Sequence, residues 1–197
     1  MTEFDEIDTK WIKPLDDKIL ADANFQKILS FYLFHTPVNS LSAQSKDLQS
    51  YGWPKPWNKK FKLNTQLKEV SSNEKLIYSA NRYDVMADAL SKADLLTDFP
   101  NNIETERISV LVSYQTQFVS IFAHLRNSLA HARFCIKEVN VNGQQIRVYV
   151  FQDRGKKQKI SARMIIREST LLKWIEIISG GEAEYLPKEK SKKGVNK

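Results

Sequence analysis

Residues 122 to 134 read FAHLRNSLAHARF and set an arginine, an asparagine and two of the chain's three histidines among apolar residues. An imidazole can take or give a proton near neutral pH, worth roughly 10²–10⁴-fold in rate. A guanidinium offers a planar fork of donors that holds phosphoryl oxygens as charge builds on them. An amide between them can orient either group without changing the net charge. Arg126, Asn127 and His131 therefore form a set suited to cleaving an RNA phosphodiester. There the ribose 2′-hydroxyl is the nucleophile, so the chemistry needs no metal-activated water. The same residues also suit an ordinary cation-rich helix end, because Arg and His favour the last turn. No Gly-rich phosphate loop, HExxH, GxSxG or CxxC competes with them. With three His and one Cys, neither a structural zinc site nor another cofactor is expected.

The elements that must position this set follow from periodicity. Residues 16 to 34 read as a helix with acidic residues at its start. From 36 to 64, prolines and tryptophans mark an ordered irregular loop. A helix is expected from Ser72 or Asn73, with Leu76, Tyr83, Met86, Ala87 and Leu90 at helical spacing. The strongest helix covers 103 to 133, where Leu111, Tyr114, Phe118, Ile121, Phe122, Leu125 and Leu129 make one stripe. After it FCIKEV and QIRVYVFQD flank Asn142-Gly143, which predicts a β-hairpin over 134 to 153. A last helix, about 169 to 179, ends at Gly180-Gly181. One domain over 1 to 181 is expected, then a flexible basic tail from 182 to 197.

On a helical wheel Asn127, His131 and His124 lie about 180–240° from the centre of the apolar stripe, with Arg126 on the flank. Ser113, Gln117 and Ser120 continue that reverse face, which carries no Lys, Glu or Asp. A solvated helix back is normally charged, so the face is expected to pair with a second copy of the helix. Arg126 and His131 stand about 140° apart around the axis, which would let one chain's arginine meet the other's histidine.

RNSLAH at 126 to 131 resembles the R-N-x-x-x-H signature of the HEPN superfamily, helical domains of which many are RNases. The surrounding pattern, a long helix ending FxHLRNxLAHxRF, then a hairpin and a closing helix, is similar as well. The likeness spans residues 70 to 180 in pattern, and a dozen or so residues carry it specifically. It implies a mainly α fold, a HEPN-like helical bundle with a β-hairpin after the catalytic helix. It also implies a homodimer through the 103–133 helix and metal-independent cleavage leaving a 2′,3′-cyclic phosphate. In that reading Arg126 and His131 are the catalytic pair and Asn127 supports them, in a toxin or antiviral defence role. An antitoxin or regulator protein would be a partner. The chain departs from members that a nucleotidyltransferase modifies on a tyrosine, because the position two after the histidine is Arg133. The alternative is a non-catalytic HEPN-like module that binds RNA or protein.

Charge agrees with a polyanionic partner. Residues 1 to 130 hold 15 Lys+Arg against 16 Asp+Glu, whereas 131 to 197 hold 15 against 7, a net of +8. His124 and Arg133 are expected to meet substrate or an interface. In YGWPKPWNKKFK, Trp57, Lys59 and Lys60 suit single-strand RNA, although prolines and tryptophans clamping a loop would read alike. Asp84 and Asp88 read as a solvated face, and Cys135 as a small buried hydrophobe. No apolar run is long enough to span a membrane, and the acidic start lacks a secretory signal, so a cytoplasmic protein is expected.

Overall fold

Asp22 opens the first long helix. Its carboxylate accepts the Phe25 N–H at 2.9 Å, so α2 (Ala23–Phe34) starts capped after the single turn α1 (Asp17–Leu20). This is seen in a computed structural model that describes residues 17–54, 56, 63–70, 76–96 and 102–185. Phe25, Ile28, Phe31 and Tyr32 turn inward from α2. The Tyr32 hydroxyl reaches the Leu171 carbonyl at 3.1 Å, which removes the cost of burying it unpaired. The loop that follows carries one 3-10 turn, Gln49–Tyr51, and a short helix α3 (Leu63–Glu69). Trp53 is fully buried and donates from Nε1 to the Ile178 carbonyl. In this loop, at least, the tryptophan clamps the chain to the core.

Five strands form one sheet: β1 (Leu76–Ala80), β2 (Arg107–Leu111), β3 (Phe134–Val141), β4 (Gln144–Arg154) and β5 (Ile160–Arg167). Their order is β1-β2-β5-β4-β3. β1 and β2 run parallel, joined through helix α4 (Met86–Lys92), and every other neighbour is antiparallel. One sheet face presents Ile108, Val110, Phe134, Tyr149, Phe151, Ala162, Met164 and Ile166 to α2, to α5 (Gln117–Ala130) and to α6 (Glu168–Tyr185). Phe118 and Phe122 both meet Trp174 edge to face, at 5.8 and 5.9 Å. On the other face α4 packs Met86, Ala89 and Leu90 over a cluster that includes Val150 and Ile165. α6 kinks at Gly181, where φ is +71° and an added Cβ would come within 2.5 Å of the Tyr51 carbonyl.

The architecture is mixed α/β, which corrects the expected mainly α, HEPN-like helical bundle. The expected helix from Ser72 is β1 followed by α4 within the described residues. The expected helix over 103–133 is β2, a loop and then α5. The second error has a physical cause. β2 is buried at all five positions, and a strand covered on both faces shows no alternation to distinguish it from a buried helix. The hairpin at Asn142-Gly143 is present, but as two strands of the larger sheet. Of the expected tail 182–197, residues 186–197 lie outside the described residues.

Candidate active site

α5 carries most of the candidate residues, and both its ends are well defined. Thr116 caps the start by accepting the Val119 N–H. At the far end the Ala132 N–H reaches Leu129 O and the Arg133 N–H reaches Ser128 O at 2.8 Å, with Ala132 at φ +51°. This is the double-bonded helix stop that normally uses glycine, built here on alanine. Arg133 O then accepts the Gln152 N–H, so the chain enters β3 directly beside the end of β4.

Part of the uncharged reverse face of α5 is bonded inside the chain. The Ser120 hydroxyl accepts the N–H groups of Ser113 and Tyr114 and donates to Thr116 O. The Ser128 hydroxyl donates to His124 O. His124 is buried, with Nδ1 2.7 Å from Asp153 Oδ2 and Nε2 2.8 Å from Leu111 O. A carbonyl only accepts, so Nε2 is the donor in the bond to Leu111 O. Asn127 donates to the same Asp153 oxygen at 3.4 Å. The other carboxylate oxygen accepts the Arg154 N–H at 2.8 Å. His124 thus ties α5 to β2 and β4 within one chain, with both ring nitrogens engaged there. These contacts lend no support to pairing two copies through the 103–133 helix, since the sheet end already covers His124 and Ser120.

Arg126 and His131 differ from their neighbours. His131 ends α5 with its side chain exposed, its backbone N–H bonded to Asn127 O. Arg126 is half-buried. Its Nε is buried without a partner, and Nη1 makes only a long 3.4 Å bond to Asn127 Oδ1. Arg133 is half-buried two residues past His131. The result is a hydrogen-bonded row, Arg126–Asn127–Asp153–His124, anchored at its buried end and open at its arginine end.

The chain stands apart in comparison. No family model, curated protein or solved structure matches it. Its chemistry must therefore be read from these groups.

Asp153 is the residue that sequence reasoning missed. Its only signal was a lone acid at a strand end beside the cations of RGKKQK. Trp57, Lys59 and Lys60 lie outside the described residues. Asp84 pairs with Arg82 and Asp88 with Lys92, so they form no acid pair. Cys135 is buried on β3. Among the described residues no group of three His, Cys, Asp or Glu is placed to hold a metal ion, and no helix is long and apolar enough to cross a membrane. A cleft of about 480 Å³ opens at the other end of α5, between Pro37–Ser40, Asp47–Gln49 and Tyr114–Gln115, and none of the candidate residues lines it.

Proposed function

We propose that the C-terminal end of α5 cleaves RNA without a metal. Arg126 holds the non-bridging phosphate oxygens and His131 accepts the proton of the attacking 2′-hydroxyl. The new bond joins O2′ to phosphorus, the bond from phosphorus to O5′ breaks, and solvent protonates the departing oxygen. The products are a 2′,3′-cyclic phosphate and a 5′-hydroxyl. The observation that carries this reading is the division of labour in RNSLAH. Asn127 is tied down by a buried carboxylate, while Arg126 is half-buried with a single long bond from Nη1 and His131 stays exposed. The likeness to the R-N-x-x-x-H signature supports the roles but not a helical bundle, and a defence role rests on that likeness alone.

One observation favours a second reading, a non-catalytic RNA-binding module. His124 and Asn127 are accounted for by internal bonds that any stable helix end could use. One experiment separates the two. Labelled single-stranded RNA is incubated with the protein and EDTA, and the ends are analysed. Cyclic-phosphate ends that vanish with His131→Ala or Arg126→Ala, both variants remaining folded by circular dichroism, support cleavage. Retention of intact RNA supports the binding module. Equal cleavage by parent and variants overturns the assignment.

A further inference from the structure

β4 passes to β5 through Gly155–Lys159, and this loop rises from the same sheet end that receives α5. Arg154, Lys157 and Lys159 place three cations in six residues there. The loop backbone is closely held. The Gly155 N–H bonds Lys159 O at 2.9 Å, the Gln158 N–H bonds Gly155 O, and Arg154 Nη1 donates to Gln158 O at 2.9 Å. Gly155 lies so near Tyr83 that an added Cβ would sit 1.8 Å from its hydroxyl. Lys157 is exposed and Lys159 half-buried, and neither has an ion pair among the described residues.

The loop is also conformationally costly. Among the described residues, six other than glycine have positive φ: Ser45, Asp94, Ala132, Asn142, Lys157 and Gln158. Asp and Asn tolerate that region. Three of the other four, Ala132, Lys157 and Gln158, flank the end of β4. Strain gathered in one place points to function when the surrounding bonds fix it. Asp153 joins the two strained segments, holding Asn127 and His124 with one oxygen and the root of the loop with the other.

We propose that the 155–159 loop is a phosphate-docking element that receives the backbone of the same single-stranded RNA whose scissile phosphate meets Arg126. This rests on the RNA reading above and names a second contact for it. Lys157 and Lys159 bind as point charges, without base preference, and Asp153 sets their position relative to the end of α5.

The test uses the full-length parent and a Lys157→Gln/Lys159→Gln variant with a fluorescent 2′-O-methyl oligonucleotide, which lacks the attacking hydroxyl. Anisotropy is followed from low to moderate salt. The variant is expected to bind about tenfold more weakly, with a log affinity against log salt slope shallower by about 1.4, at about 0.7 per lost contact. Lys68→Gln, on α3, is expected to bind like the parent. Equal binding and slope in parent and double variant overturn the loop assignment and leave the RNA reading standing. A parent that fails to bind the oligonucleotide, or binds phosphatidylserine vesicles in its place, overturns both.

Discussion

Asp153 Oδ2 stands 2.7 Å from His124 Nδ1, and both side chains are almost wholly buried, at 4% and 6% exposure. A buried hydrogen-bonded pair contributes little net stability, but breaking it is expensive because a buried polar or charged group is left without its partner. Asp153→Ala is expected to lower unfolding stability by about 3–5 kcal/mol in urea titrations. Removing both partners should cost less than the sum of the single losses. Additive losses would show that the two groups are not coupled.

Arg126→Lys tests the fork against the charge. Lysine keeps the cation but not the paired planar donors. RNA cleavage is expected to fall about 10²-fold in kcat, with little change in thermal stability. Parent-like turnover would mean that the guanidinium does not grip the phosphate in the transition state.

Ala132→Gly should stabilise the fold. The position is left-handed, where alanine costs about 1–2 kcal/mol and glycine nothing steric, less about 0.5–1 kcal/mol of extra chain entropy. A net gain of about 0.5–1 kcal/mol is expected from denaturant midpoints, and a loss would show that the alanine methyl makes a needed contact.

Acid should act partly through Asp22. The Phe25 N–H first, and then Arg147 at 2.9 Å, hold its carboxyl below the usual value. A lowered folded-state pKa stabilises above the ordinary Asp value of about 3.9 and loses that contribution as pH falls through the folded value. Asp22→Asn keeps a good helix cap but removes the charge. Its stability should therefore depend less on pH below about 4 than the parent's, with a difference under about 1 kcal/mol at pH 7. Parallel pH profiles would remove Asp22 from the acid response.

Legibility varied with the kind of signal each segment carried. The Asn142-Gly143 turn was readable because those residues adopt positive φ readily, and both do so here. The next hairpin turns through Lys157 and Gln158, also left-handed, and those residue types announce nothing. β5 was therefore invisible, although it is central and almost wholly buried. On the polar reverse of α5, Ser120 and His124 are buried while His131 is exposed, so the face is covered only in part. Its cover was assigned to a second chain because Asp153 and Leu111 O, far off in sequence, gave no hint of meeting His124. Arg126 and His131 could be singled out because their spacing is local, and the contact that positions their neighbour Asn127 could not.

β5 lies between β2 and β4 yet is made after both. During synthesis the parallel pair and the hairpin must wait, unjoined, for the strand that bridges them, with β2 and β4 each offering an open hydrogen-bonding edge. A nascent chain stalled before Ile160 would hold a βαβ unit and a hairpin with no shared sheet. The protein's vulnerability to aggregation should therefore peak late in translation and end abruptly once Arg167 clears the exit tunnel.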